Sequence, residues 1–183
     1  MPEKSVRKEE DEMSEEHTPA DLIRFFPSPL GTLTVHSDGR SITRLFFADD
    51  EAAPGGSGAE LPVFSMTAEW LARYFSGQDP GFLPPLRLSP TPFRREVEEI
   101  MLTLPYGETL TYGEIAGIIA RRRGMMRMSA QAVGGAVGAN PIALIIPCHR
   151  VVGSGGRLVG YGGGIDRKIA LLTRENARFL HRV

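Results

Sequence analysis

The sequence predicts an α+β chain in two parts, a strand-bearing first half followed by a mostly helical second half. Three observations carry this expectation. Short β-patterned runs are confined to residues 22–47, and apolar residues recur at helical spacing from residue 91 onward. Between them, the proline-rich stretch DPGFLPPLRLSPTP marks a boundary. The expected division is an acidic disordered tail over 1–20, an α/β domain over 21–88 and a second domain over 89–183.

Each element has a local reason. MPEKSVRKEEDEMSEEHTPA holds almost no apolar residues and cannot contribute to a core. Strand-like runs follow at 22–26, 31–36 and 41–47, with Asp38-Gly39 as a tight-hairpin signal between the last two. EAAPGGSGAE reads as a flexible loop, and SMTAEWLARYFSG as a helix with Met66, Trp70, Tyr74 and Leu71 or Phe75 on its apolar stripe. Past the linker, Thr91 is placed to cap a helix with Pro92 at its first position. Phe93, Val97, Ile100, Met101 and Leu104 form its buried face, and Pro105-Tyr106-Gly107 stops it. Thr111 and Glu114 have capping-box spacing, opening a helix with Ile115, Ile118 and Ile119 inward. A basic loop, RRRGMMRM, leads to SAQAVGGAVG with Ser129 as its cap, and a last helix spans about 166–178 with Ile169, Leu172 and Glu175. Helix, turn and small-residue helix in that order permit a helix-turn-helix unit.

Composition narrows the function. At 183 residues, 42% hydrophobic and a formal charge of −1, the chain describes an ordinary globular protein. No apolar run approaches the roughly 20 residues of a membrane span, and the charged N-terminus is not signal-like. A single cysteine makes no internal disulfide, and the four histidines (His17, His36, His149, His181) lack metal-ligand spacing. No cofactor or metal is expected, and a reducing, cytoplasmic setting is. Charge is unevenly spread: −4 over residues 1–20, −3 over 21–90 and +6 over 91–183. A basic half on a near-neutral chain points to a polyanionic partner for that half.

The lone cysteine stands in IIPCHRVV, residues 145–152. Cys148 and His149 are adjacent, so in an extended segment their side chains face opposite ways. A bridging water, or a turn at Pro147, lets the imidazole reach the sulfur. The thiolate is the nucleophile, and an ordinary thiol with a pKa of about 8.5 is only a few per cent ionised at neutral pH. A neutral His149 can take the proton if a carboxylate fixes its tautomer, and Glu175 is the candidate. The competing reading is a buried, inert cysteine.

The surrounding residues decide between the two. NPIALIIPCHRVVGSGGRLVGYGGGIDRKIALLTRE resembles the O6-alkylguanine-DNA alkyltransferase family, whose active-site signature matches Pro147-Cys148-His149-Arg150-Val151. Asn140 and Glu175 stand at matching distances, and the resemblance runs from about residue 66 to 175. It implies a ribonuclease-H-like α/β domain and a helical, winged-helix-like DNA-binding domain. By the same resemblance, Cys148 attacks the carbon on guanine O6 in an in-line displacement. His149 acts through a water as base with Glu175 orienting it, and Asn140 ties the recognition helix to the active-site loop. Tyr112 donates a proton toward guanine N3 as charge develops there. Arg150 makes structural hydrogen bonds, Tyr161 stands near the base in GRLVGYGGGID, and Val151 completes the signature.

The target nucleotide must leave the duplex. Ala132, Gly134, Gly135 and Ala136 keep a helix thin enough for the minor groove. Gln131 stands where many members carry an arginine, offering an amide without the charge or stacking plane of guanidinium. Arg121, Arg122, Arg123 and Arg127 are placed for phosphates. The implied partner is double-stranded DNA containing O6-alkylguanine, and in some cases O4-alkylthymine, met by a monomer. With no residue apparent for regenerating the thiol, one protein repairs one lesion. Two other classes remain open at this level. One is an alkyltransferase-like protein that binds lesions without repairing them, although those relatives lack the acceptor cysteine. The other is a cysteine hydrolase, which needs an oxyanion hole and turnover.

Overall fold

The structure is a computed structural model that describes residues 22–48 and 60–177. The expected acidic tail, most of the 51–60 loop and residue 178 of the last expected helix lie outside the described residues. The chain is α+β. Strands β1 (Leu22–Phe26), β2 (Leu33–Ser37) and β3 (Ile42–Phe47) form an antiparallel sheet with β2 in the centre. The β2–β3 hairpin turns at Asp38-Gly39, where the Asp38 carboxylate accepts from the amides of Arg40 (2.8 Å) and Ser41 (2.7 Å). Gly39 has φ +91°, a conformation in which its missing Cβ matters.

Helix α1 (Pro62–Phe75) begins earlier than the periodicity predicts, because Pro62 supplies the fixed φ of a first helical position. Its inward face is therefore Val63, Phe64, Thr67, Trp70, Leu71 and Tyr74, with Met66 only half-buried. The proline-rich stretch is not a free spacer. Ile42 N donates to Pro85 O (2.8 Å) and Arg87 N to Ile42 O (2.8 Å), so the stretch lies hydrogen-bonded along the open edge of β3.

Helices α2 (Pro92–Leu102), α3 (Tyr112–Arg122), α4 (Ala130–Gly138) and α5 (Ile165–Arg174) follow, with short parallel strands β4 (Leu110–Thr111) and β5 (Val151–Val152). The capping box at α3 is present in full, Thr111 Oγ1 accepting from Glu114 N and Glu114 accepting from Thr111 N. Ser129 caps α4 through Ala132 N at 3.2 Å. Thr91 does not cap α2 with its side chain; Pro92 alone sets the start. In α3 the buried positions are Ile115, Ala116, Ile119 and Ala120, while Ile118 is only half-buried. The inward face of α3 thus includes two alanines beside the isoleucines. Glu175 ends α5 as its C-cap residue rather than lying within it. The two halves share one apolar core that runs from Leu33 and Val35 through Trp70 and Ile100 to Ile146 and Leu171.

Candidate active site

The approach to the cysteine is built from backbone. Leu45 N donates to Pro141 O (2.9 Å) and Ala143 N to Leu45 O (2.8 Å), fastening the segment after α4 to β3. Asn140 then holds the segment closed, its Nδ2 donating to Ile146 O (2.9 Å) and Ile142 O (3.3 Å) and its Oδ1 accepting from Ile142 N (3.1 Å). Inside this loop Leu144 is fully buried at φ +70°, a left-handed conformation costly for a side chain with a Cβ. The strand does not continue through the motif. At Pro147 (ψ 63°) the chain turns into one 3-10 turn, Cys148–Arg150, so the adjacent thiol and imidazole are not on opposite faces of a strand.

Cys148 lines an open cleft of about 1300 Å³. Tyr112, Gln131, Gly134, Gly135, Asn140 and Tyr161 line the same cleft, joined by Phe46, Phe47 and Val159. Of the other sequence-predicted residues, Val151 is fully buried in β5, and Ala132 is exposed on α4 outside the cleft. Arg127 borders a separate shallow recess beside Met125 and Met126. Arg123 is not free for phosphate: its Nε and Nη2 both donate to Glu96 Oε2 at 2.9 and 2.7 Å. Gly134 packs beside Tyr112, where a Cβ would meet the phenol ring at an ordinary contact distance of 3.8 Å.

Behind the cleft stands a buried polar cluster. His149 Nε2 lies 2.7 Å from Glu175 Oε1. A carboxylate accepts, so Nε2 carries the hydrogen and Nδ1 keeps its lone pair. Nδ1 is buried with no hydrogen-bond partner among the described residues. Glu175 Oε2 accepts from Arg150 Nε (2.7 Å) and Gly107 N (3.2 Å), and Arg150 also donates to Leu104 O (2.8 Å). Burial opposes ionisation of Glu175, but the His149 hydrogen bond and the Arg150 charge outweigh it and hold its pKa at about 2. Burial lowers the His149 pKa below its ordinary value, against the pull of Glu175, so the imidazole is neutral at physiological pH. Burial raises the Cys148 pKa, opposed by the Asn140 amide and the Lys168 charge. The thiol therefore needs a base, and a neutral imidazole with a free ring nitrogen is the adjacent residue.

Three residues of this cluster escaped the sequence reading. Tyr74, expected only to pack, donates from its hydroxyl to Glu175 Oε1 at 2.6 Å. Lys168 is fully buried, its Nζ donating to Val151 O (2.7 Å) and Val159 O (2.9 Å), which ties the cleft loop to the strand after the cysteine. Burial lowers its pKa to about 8. One signal was available: Lys168 lies three residues before Leu171 and four before Leu172, an inward position on α5. Gly107 has φ +82°, and a Cβ there would lie 2.7 Å from Glu175 O.

Family models and known proteins match this arrangement across both halves. Residues 22–88 match the model described as "6-O-methylguanine DNA methyltransferase, ribonuclease-like domain", and residues 92–177 its DNA binding domain. The chain belongs to the 6-O-methylguanine DNA methyltransferase family. A Methylated-DNA--protein-cysteine methyltransferase of Mycobacterium tuberculosis is 43% identical over 85% of this chain and 92% of its own length. One from Haemophilus influenzae is 39% identical, over 85% of this chain and 87% of its own. Among solved structures, Mycobacterium tuberculosis OGT in complex with DNA superposes with a TM-score of 0.71 at 43% identity, over 84% of this chain and 92% of that one. Family membership thus rests on both domains, and the sole cysteine of this chain lies inside the DNA-binding half.

Proposed function

We propose that this protein repairs double-stranded DNA directly, moving an alkyl group from guanine O6 onto Cys148 in a single, irreversible event. The observation that carries the reading is the only cysteine of the chain placed in a cleft beside α4, with a neutral imidazole and its carboxylate packed behind it. Helix α4 enters the minor groove, where Ala132, Gly134 and Gly135 present little bulk and Gln131 stands at the mouth of the cleft. Arg121, Arg122 and Arg127 meet phosphates, and the damaged nucleotide rotates into the cleft.

The thiol proton then passes to His149 Nδ1 through a water. The sulfur forms a bond to the alkyl carbon, the carbon–O6 bond breaks, and its electron pair goes to guanine. Tyr112 donates toward guanine N3 as that charge develops; burial first, and then the nearby Cys148, raise its pKa and keep it a proton donor at neutral pH. Water does not displace a thioether readily, so the reaction stops at one alkyl group. No cofactor enters this scheme. The setting is the cytoplasm, and the working unit is a monomer on DNA. Among the described residues no helix is long and apolar enough to cross a membrane.

The test compares the wild-type chain with Cys148→Ala on a duplex carrying one O6-methylguanine. The wild type restores guanine, while the alanine variant leaves the lesion intact and still retains the duplex at low salt. Guanine restored by the variant contradicts the assignment of the acceptor.

A further inference from the structure

The transfer step uses no group of the first domain, yet one of that domain's side chains reaches the cluster behind the cysteine. We infer that Tyr74 is a positioning residue for alkyl transfer, its hydroxyl fixing the Glu175 carboxylate so that His149 presents Nδ1 toward the thiol. The inference rests on the alkyl-transfer reading above and extends it to the ribonuclease-like domain.

Tyr74 sits in the last turn of α1, fully buried. Its ring stacks on Trp70 at 5.2 Å with 7° between planes, and meets Phe75, Tyr106 and His149 edge-on at 5.3, 5.9 and 6.4 Å. The end of α1 is fastened to the end of α5 by Arg174 Nη1, which donates to Phe75 O at 2.7 Å. The hydroxyl is thus aimed by rigid neighbours on both sides.

Glu175 Oε1 accepts from Tyr74 (2.6 Å), His149 (2.7 Å) and Arg150 Nη2 (3.2 Å), while Oε2 accepts from Arg150 Nε and Gly107 N. The carboxylate is held from α1, from the loop before β4 and from the 3-10 turn. Its donors on the second-domain side are one imidazole, one guanidinium and one amide, and among the described residues Tyr74 alone reaches it from the first domain. The Tyr74 oxygen also lies 3.4 Å from His149 Nε2, so a carboxylate rotated away from the phenol would leave the imidazole facing a competing acceptor. Holding Oε1 in place holds the hydrogen on Nε2, and with it the lone pair on Nδ1.

The groups facing His149 are few. Glu175 and Lys168 come from α5, Arg150 from the turn, Tyr74 from α1 and Tyr161 from the cleft loop. Burial and the Glu175 charge push the phenol of Tyr74 far above its ordinary range, so it remains a donor at every pH the enzyme meets. Removing this donor leaves the carboxylate more basic, and a more basic carboxylate holds a proton on His149 more firmly. The pH at which the base becomes protonated therefore rises.

The experiment is single-turnover methyl transfer from a duplex carrying O6-methylguanine, followed from about pH 5 to about pH 9 for wild type and Tyr74→Phe. Phenylalanine keeps the aromatic packing and removes one hydroxyl. The plateau rate should fall about tenfold, as expected for losing a hydrogen bond to a charged group, and the acid limb should move to higher pH. DNA affinity should be unchanged. A profile that superimposes on the wild type once scaled for folded protein overturns the inference. Wild-type chain carrying 3-fluorotyrosine at position 74 supplies a second measurement with the fold kept. Its stronger donor must move the acid limb the other way, and an unmoved limb overturns the inference even where Tyr74→Phe fails to fold. If the wild type itself takes up no methyl group, the alkyl-transfer reading fails instead, and the two failures are distinct.

Discussion

Replacing Glu175 by glutamine tests the buried cluster through stability as well as chemistry. Glutamine keeps the shape, but it removes the charge that Arg150 faces at 2.7 Å from inside the core. Breaking a buried pair by removing one partner costs about 3–5 kcal/mol, because the remaining charge is left uncompensated. The wild type adds a pH signature. The Glu175 pKa is about 2 in the folded protein against an ordinary 4.5. A depressed carboxylate pKa means that the unfolded chain binds the proton first as pH falls. Its stabilisation is complete above pH 4.5 and is lost as pH drops toward 2. The full loss is about 3 kcal/mol, of which about 1 kcal/mol has gone by pH 3.5. His149, whose pKa is also lowered in the fold, adds a loss of the same sign beginning below its ordinary value of 6.5. Urea unfolding of both proteins at pH 7 and pH 3.5 measures this directly. Glu175→Gln should be less stable at pH 7, and the gap should narrow by about 1 kcal/mol at pH 3.5. A gap that is constant across pH refutes the claim that the ionised carboxylate organises the cluster.

Two further outcomes follow from single positions. Gly107→Ala adds a Cβ 2.7 Å from Glu175 O at φ +82°, and thermal unfolding should show a loss of more than about 1–2 kcal/mol, with slower methyl transfer. If Gln131 acts in extruding the nucleotide, as proposed above, Gln131→Arg should speed transfer from duplex DNA several-fold while leaving reaction with the free O6-alkylguanine base unchanged.

Much of the fold was legible because its signals are local. Thr111 and Glu114 close their box within one helical turn, Ser129 caps α4 through its own third residue, and Asp38 closes its hairpin by accepting from amides two and three residues on. The errors arise where a neighbour intervenes. Pro62 starts α1 without a side-chain cap on Leu61, so the helix extends before its apolar stripe was recognised. In α3 the fully buried positions include Ala116 and Ala120 while Ile118 is only half-buried, a choice of face that depends on the helix's neighbours and not on its own apolar spacing. At the site, the residues between 140 and 152 were readable as a motif, and the structure places Cys148, Tyr112, Asn140, Gln131 and Tyr161 around one cleft. Tyr74 and Gly107 were not readable. Each acts on Glu175 across more than sixty residues of chain, and nothing in their own surroundings separates a core tyrosine or a turn glycine from a functional one. Arg123, taken from sequence as a phosphate contact, is claimed by Glu96 for the same reason.

The central claim is that Cys148 is the acceptor and is used once. Intact mass after incubation with excess O6-methylguanine duplex tests it most directly. A gain of one methyl group per molecule is expected, mapped to Cys148 and not exceeded at longer times. An unchanged mass with the duplex still bound would contradict it and make the protein a lesion binder, and loss of methyl from DNA beyond one per protein would make the thiol a turnover catalyst.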